Sequence, residues 1–175
     1  DGVLRLVAGL GTRAVDRVGN DYPVLISPGQ PGIRVNVTPE QVLHYAQKHI
    51  DVINLETGRF ETHPIDEILK EVGADFPLWD RILSVSDGTS VRRANRAMDR
   101  PDRDDTAVTF NGLIEGTGFI KQMRELMRAL RETFGMPMDV EFAHDGTDLY
   151  ILQCRPQSHL DDEGRVEIPA WVPER

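Results

Sequence analysis

Several residue types are scarce in this 175-residue chain, and each scarcity excludes a class of protein. The chain has a single cysteine, Cys154, so an internal disulfide and a cysteine-rich zinc site are both excluded. No apolar run approaches the roughly 20 residues that a membrane-spanning helix needs. The chain has only 20 Lys and Arg residues against 29 Asp and Glu residues. The resulting net charge of −9 disfavours binding to a nucleic-acid backbone. These absences predict a cytoplasmic protein that binds neither nucleic acid nor a membrane.

The residues that are present are ordinary for a globular domain. The chain is 39% apolar and 28% charged, which is enough apolar sequence to form a core. It has no initiator methionine, and strand-like sequence begins at about residue 3. We therefore expect the chain to be a piece of a longer protein.

Local patterns predict a mixture of helices and strands. Short apolar runs indicate strands at 3–7, 24–26, 33–35, 51–56, 59–62 and 107–110, and either a strand or a helix end at 82–85. Helices are predicted after the capping residue Thr38, at 65–72 and at about 117–134. The apolar stripe of the last helix is predicted to be core.

Two segments differ in composition from the rest. Arginine and aspartate alternate through 86–105, which predicts a flexible or linking segment with solvated charges. The polar, proline-punctuated segment 158–175 is predicted to be a tail or a linker toward a further domain.

Alternating sequence on both sides of an Asp-Gly turn predicts a β-hairpin at about 138–155. A two-residue turn would place Glu141 and Gln153 on opposite faces. A three-residue loop would instead gather four polar side chains on one face, namely Asp139, Glu141, Gln153 and Arg155. We predict a loop of three or five residues, since these lengths produce the common face.

That polar face has the chemistry of a magnesium-nucleotide site. Mg²⁺ usually takes one or two oxygen ligands from a protein, and Glu141 and the amide of Gln153 supply suitable oxygens. Arg155 presents a planar set of donors that suits phosphate oxygens. Spacing alone leaves a second interpretation open, in which these side chains form an ordinary solvated face of a hairpin.

The hairpin sequence also resembles a known family. Asp139-Val140-Glu141-Phe142-Ala143, with Leu152-Gln153-Cys154-Arg155-Pro156 placed so that Gln153 lies twelve residues after Glu141, resembles the closing hairpin of the ATP-grasp region of phosphoenolpyruvate synthase and pyruvate phosphate dikinase. Gly9-Leu10-Gly11, followed by Asn20-Asp21-Tyr22, is similar to a Gly-Leu-Gly-Glu segment of that family. The resemblance extends from about 3 to 157 and is loose over 38–105.

The resemblance implies an α+β fold in which 1–157 form the second part of an ATP-grasp nucleotide-binding domain. In such a lobe an antiparallel sheet carries packed helices, with the 117–134 helix across one face. The implied activity is that of an ATP-dependent phosphotransferase. ATP and Mg²⁺ are held between two lobes, and a phosphoryl group passes to a carrier histidine on the way from pyruvate to phosphoenolpyruvate.

The same resemblance assigns residues and partners. Glu141 and Gln153 would bind Mg²⁺, Arg155 would act as a catalytic residue on the phosphates, and Gly9 and Gly11 would contact the nucleotide. The implied partners are an upstream ATP-grasp lobe, a downstream phosphohistidine domain and a pyruvate-binding domain. The isolated chain is therefore expected to be inactive.

Two alternatives remain open. Thr12-Arg13 stands where the family has a glutamate after Gly-Leu-Gly, and the upstream lobe is expected to lie outside this sequence. Both points favour a non-catalytic ATP-grasp-derived scaffold or partner-binding module. A related phosphotransferase with a different acceptor, such as an antibiotic or a glucan, would share all of these residues. The five histidines lack ligand spacing and are predicted to be structural or solvated, and Cys154 is predicted to be a small core residue.

Overall fold

The computed structural model describes residues 2–11, 13–16 and 19–157, and this part of the chain contains nine strands and five α-helices. The predicted tail 158–175 lies outside the described residues. The strands are β1 (Leu4–Leu6), β2 (Val24–Ile26), β3 (His49–Asn54), β4 (Arg59–Pro64), β5 (Leu83–Ser86), β6 (Val91–Arg93), β7 (Asp105–Val108), β8 (Met138–His144) and β9 (Leu149–Pro156). The helices are α1 (Pro39–His44), α2 (Ile65–Val72), α3 (Trp79–Ile82), α4 (Asn111–Gly116) and α5 (Phe119–Phe134).

The chain divides into two compact units, Asp1–Met127 and Arg128–Arg175. The first unit holds β1 to β7, α1 to α4 and the beginning of α5. The second unit holds the end of α5 and the β8–β9 hairpin. Each unit has its own candidate residues, which are described separately below.

The strand ladders of the described residues are all antiparallel, which confirms the α+β class. They form four small sheets: β1 with β2, β3 with β4, the three-stranded order β6-β5-β7, and β8 with β9. The first three belong to the first unit, and the last forms most of the described part of the second.

Helix α1 begins where the capping pattern predicts. The hydroxyl of Thr38 accepts a hydrogen bond from the N–H of Gln41, and the Gln41 side chain accepts one from the N–H of Thr38. This capping box satisfies two backbone donors that a helix start leaves without partners. Pro39 fills the first helical position, where a missing N–H costs nothing.

The core of the first unit surrounds strand β5, whose four residues are all buried. Trp79 of α3 and Ile114 of α4 are buried in the same unit, as are Phe119, Ile120 and Met123 at the start of α5. Each fully buried apolar side chain of this size contributes about 1.5–3 kcal/mol relative to an exposed one. The apolar stripe of α5 is not core throughout, because Phe134 at its end is 50% exposed.

One local prediction is wrong, and one helix was not predicted. Residues 33–35 do not form a strand, and Ile33 and Val35 are 65% and 73% exposed. The turn at Pro31-Gly32 leaves these residues without a neighbouring strand among the described residues, so their apolar alternation has no sheet to join. Helix α4 was not predicted, because no side chain caps its start. The residue before it, Phe110, adopts a left-handed conformation with φ +56°, which the sequence pattern does not indicate.

The arginine- and aspartate-rich segment 86–105 includes strand β6 and a local ion pair. The guanidinium of Arg92 donates two hydrogen bonds to the carboxylate of Asp99, which is buried. The N–H of Asn95 donates to the same carboxylate at 2.7 Å. The hydrogen bonds from Arg92, followed by that from Asn95, hold the pKa of Asp99 below its ordinary value despite its burial.

Candidate functional site

The β8–β9 hairpin of the second unit carries three of the five predicted site residues. Strand β8 ends at His144 and β9 begins at Leu149, so four residues form the loop. The prediction of three or five loop residues is therefore wrong. With four loop residues and regular pairing, Glu141 would lie opposite Leu152, and Gln153 would point to the other face.

A β-bulge restores the predicted face. Phe142 lies opposite Ile151, but Glu141 lies opposite Gln153, so Leu152 is an extra residue on β9. Beyond the bulge the pairing is regular, and Asp139 lies opposite Arg155. The structure thus confirms that the four polar side chains share one face, although through a bulge rather than through the loop length.

Hydrogen bonds within the loop explain its length. The carboxylate of Asp145 accepts hydrogen bonds from the N–H groups of Thr147 and Asp148, each at 2.8 Å, and from the hydroxyl of Tyr150 at 3.0 Å. The bonds from the backbone and from Tyr150 lower the pKa of Asp145, and the same carboxylate raises the pKa of Tyr150. The aspartate that suggested a tight Asp-Gly turn therefore stabilises a wider loop.

Arg155 has an acidic neighbour on the same face. Its Nε lies 3.8 Å from a carboxylate oxygen of Asp139, and both side chains are about half exposed. An exposed ion pair at this distance contributes at most about 1 kcal/mol to stability. Asp139 can therefore orient the guanidinium of Arg155 while leaving most of its donors available to a phosphate.

Glu141 and Gln153 are both exposed, and within the described part of the chain neither side chain has a hydrogen bond or an ion pair. Directly opposite residues of an antiparallel pair have Cβ atoms about 5 Å apart. Two adjacent oxygen donors fit Mg²⁺ when a nucleotide and water complete its coordination. Among the described residues no group of three or more His, Cys, Asp or Glu side chains could hold a metal ion by itself.

The other two predicted residues, Gly9 and Gly11, lie in the first unit. Both adopt left-handed conformations, with φ +82° and +74°, that side chains rarely tolerate. A Cβ on Gly9 would lie 2.6 Å from the carbonyl oxygen of Asp51, so the loop also lacks room for one. The N–H of Leu10 donates to that carbonyl at 2.8 Å, which holds the loop against β3.

Gln47 also holds this loop, although it is not among the predicted site residues. Its side-chain oxygen accepts a hydrogen bond from the N–H of Ala8 at 2.8 Å, and its nitrogen donates to the carbonyl of Ala8 at 2.9 Å. The nitrogen also donates to the carbonyl of His49 at 2.7 Å. The buried side-chain amide of Gln47 thus serves as the hydrogen-bond partner of these backbone groups, in the place that another strand would take in a sheet. No local pattern in the sequence indicates such a contact.

Asp21 connects the segment after the Gly-Leu-Gly loop to β3. Its carboxylate is fully buried and accepts hydrogen bonds from the N–H groups of Lys48 and His49, at 2.6 and 2.9 Å, and from Nε of Arg13 at 3.0 Å. Burial by itself raises the pKa of this carboxyl, but the hydrogen bonds outweigh burial and hold the pKa below its ordinary value. Asp21 therefore has a structural role that its place in the Asn-Asp-Tyr motif did not indicate.

Among the described residues the remaining candidates do not form a further site, and His159 lies outside the described residues. His49 contacts the Asp21 carboxylate through Nδ1 at 2.9 Å, and Nε2 of His63 contacts Glu61 at 2.9 Å. Cys154 is exposed, so its prediction as a core residue is wrong. It lies opposite Val140 on the apolar face of a two-stranded hairpin, which offers too little surface to bury it.

Within the described part of the chain, no helix is both long enough and apolar enough to cross a membrane. The family model of the pyruvate phosphate dikinase AMP/ATP-binding domain matches residues 2–175 of the chain. Searches of curated proteins and of solved structures found no match. Because the family model covers nearly the whole sequence, the chain belongs to the pyruvate phosphate dikinase AMP/ATP-binding domain family, and it is the ATP-binding portion of an enzyme of that type.

Proposed function

We propose that this chain is the magnesium-nucleotide-binding part of an ATP-dependent phosphotransferase that phosphorylates a carrier histidine on the way from pyruvate to phosphoenolpyruvate. The observation that supports it most directly is the position of Glu141 opposite Gln153, with Arg155 one pair further along the same face. In this proposal, two oxygens that would bind the metal lie next to a cation that would bind phosphate.

Glu141 and Gln153 would hold Mg²⁺ by one oxygen each. The metal, when bound, supplies charge neutralisation for the phosphate oxygens of ATP. Since neither side chain has a partner among the described residues, no existing interaction must break before the ligand binds. The site is therefore exposed and ready for a ligand that brings its own oxygens.

Arg155 would contact the phosphates. A guanidinium donates several hydrogen bonds in a fixed plane, which suits the oxygens of a transferring phosphoryl group. Phosphoryl transfer depends on in-line positioning and charge stabilisation more than on covalent chemistry by the protein. Asp139, 3.8 Å away, would limit the orientations of Arg155.

The direct test is ATP-dependent autophosphorylation of the full-length protein that contains this chain. Glu141→Ala should abolish labelling of the carrier histidine. The matched control is Glu132→Ala, because Glu132 is an exposed acid of the same unit that pairs only loosely with Arg128, at 3.9 Å. Near-normal labelling of the Glu141→Ala protein would contradict the proposal.

One departure from the family pattern favours a second candidate. Thr12 stands in place of the glutamate after Gly-Leu-Gly, as a degenerate, non-catalytic scaffold or partner-binding module would allow. A phosphorylatable histidine downstream, together with an upstream lobe that binds ATP, would exclude this candidate. The final acceptor, pyruvate or another molecule, would be identified by assaying the labelled full-length protein in the cytoplasmic extract of its source.

A further inference from the structure

The sequence of the β8–β9 loop favours a strand pairing that would separate the two residues of the proposed metal site. Asp145-Gly146 is typical of a two-residue type I′ turn. Regular pairing from such a turn would place Glu141 opposite Tyr150 and turn Gln153 to the other face. Contacts within the loop must therefore select the observed pairing.

The backbone of the loop excludes the two-residue turn. A type I′ turn needs a positive φ at both central residues, and of the two only Gly146 has one. Such a turn would also require the N–H of Thr147 to donate to the carbonyl of His144. That N–H donates instead to the carboxylate of Asp145 at 2.8 Å, and the N–H of Asp148 donates to the same oxygen at the same distance. The Asp145 side chain thus binds a donor that the competing turn would need.

A third hydrogen bond connects the loop to strand β9. The hydroxyl of Tyr150 donates to the other carboxylate oxygen of Asp145 at 3.0 Å. Tyr150 lies opposite Ala143, so it shares the face of Glu141, and it is about half exposed. Neighbouring positions on one face of a strand are about 7 Å apart. This bond therefore holds β9 one step away from the proposed metal-binding pair.

These contacts suit Asp145 to a role other than metal binding. Its oxygens accept hydrogen bonds from Asp148, Thr147 and Tyr150, which hold the pKa of its carboxyl below the ordinary value. No group of three potential metal ligands occurs among the described residues, so Asp145 does not complete one with Glu141. The bond from Tyr150 also goes beyond an ordinary Asx turn, in which an aspartate bonds only to nearby backbone groups.

We propose that Asp145 is a positioning residue for the metal-binding pair, and that it acts by holding the register in which Glu141 faces Gln153. Its bonds fix the pairing from the loop to Ile151, and the bulge at Leu152 then brings Gln153 to the shared face. The inference rests on the proposed function for the identity of the ligand, whereas the register can be measured without any ligand.

The test is a calorimetric titration of the full-length protein with Mg²⁺ and a non-hydrolysable ATP analogue. Asp145→Gly removes the acceptor and produces a Gly-Gly sequence that favours the two-residue turn, so affinity should fall about tenfold or more. Asp145→Ser removes the same charge but keeps an oxygen that accepts weaker bonds from the same N–H groups. Its affinity should stay within about threefold of the wild type.

Two further variants separate the contributions of the loop. Asp148→Ala is the matched control, because this exposed acid contributes only backbone hydrogen bonds to the described part of the loop, and its affinity should not change. Tyr150→Phe removes the bond between the loop and β9 without changing the turn residues, and it should give a smaller loss than Asp145→Gly.

The register is measured in the same proteins by cross-strand NMR contacts. Contacts between residues 141 and 153 should be present in the wild type, in Asp145→Ser and in Asp148→Ala. In Asp145→Gly they should be replaced by contacts between residues 141 and 150. Thermal unfolding would confirm that each variant is folded.

Wild-type affinity in both Asp145→Gly and Tyr150→Phe would overturn the inference, as would an intact 141–153 contact in Asp145→Gly. An equal loss of affinity in Asp148→Ala would show that only the negative charge of the loop matters. Glu141→Ala distinguishes the two proposals. Unchanged affinity in that variant would contradict the proposed function, while the NMR contacts would still decide whether Asp145 sets the register.

Discussion

Glu141 and Gln153 lie directly opposite each other across the β8–β9 hairpin, although four loop residues separate the two strands. Regular pairing from such a loop would put these side chains on opposite faces. The extra residue Leu152 corrects the register by one position. The predicted common face of the four polar side chains therefore forms because the bulge at Leu152 offsets the register that the four-residue loop would set.

Deletion of Leu152 tests this relationship. Phe142 would remain opposite Ile151 and Glu141 opposite Gln153, now in a regular ladder, so Mg²⁺-nucleotide affinity should stay within about twofold of the wild type. Stability should change by about 1 kcal/mol or less, since Leu152 is 66% exposed. Cross-strand NMR contacts would report the pairing, and loss of binding with the pairing intact would show that the bulge shapes the site directly.

Arg155→Ala tests whether Arg155 acts on the ligand or on the hairpin. Its ion pair with Asp139 is long and exposed, so its loss should change the free energy of unfolding by at most about 1 kcal/mol. Affinity for Mg²⁺-ATP should nevertheless fall about tenfold or more, because a charge-assisted phosphate contact is lost. Arg155→Lys would keep the charge but lose the planar fork, and it should recover only part of the affinity. Unchanged affinity in Arg155→Ala would exclude the phosphate role.

Substitution of Gly112 tests how closely α3 and α4 pack in the first unit. A Cβ at this position in α4 would lie 2.6 Å from Cα of Arg81, where backbone must move to make room. Gly112→Ala should therefore destabilise the protein by about 1–3 kcal/mol in denaturant unfolding. Gly118→Ala is the matched control, because nothing lies within 4 Å of its Cβ, and its stability should be unchanged or slightly higher. Equal effects of the two substitutions would contradict the close packing of α3 and α4.

The buried carboxylate of Asp21 predicts a dependence of stability on pH. Its pKa in the folded protein lies below the ordinary value of 3.8, so its contribution is present above that pH and is lost as pH falls through the folded-state pKa. Asp21→Asn should cost about 1–3 kcal/mol at pH 7 by weakening the bonds from Lys48, His49 and Arg13. Below about pH 4 the difference between wild type and variant should shrink. Parallel curves of unfolding free energy against pH would contradict this role.

The sequence predicted those parts of the fold that local chemistry determines. Thr38 and Pro39 define the start of α1, and the turn at Thr57-Gly58 joins β3 to β4 as alternation indicates. Residues 65–72 form α2 as predicted. These signals need no information about distant residues, which is why they were readable from the sequence.

The parts that failed depend on distant contacts. The alternation of apolar and polar residues at 33–35 is typical of a strand, but no partner strand for this segment is present among the described residues. Gln47 and Asp51 act through the loop at Gly9–Gly11, about forty residues away in sequence, and nothing near them indicates it. At the hairpin the face was predicted correctly, whereas the loop length was not, because Asp145 forms hydrogen bonds that a turn rule does not include.

The most direct test of the account is a calorimetric titration of the full-length protein with Mg²⁺ and a non-hydrolysable ATP analogue. Glu141→Ala and the control Glu132→Ala would be titrated in parallel. We expect saturable binding in the wild type and the control, and at least a tenfold loss in Glu141→Ala when one metal ligand is removed. Binding of equal strength in all three proteins would contradict the assignment of the β8–β9 hairpin as the magnesium-nucleotide site.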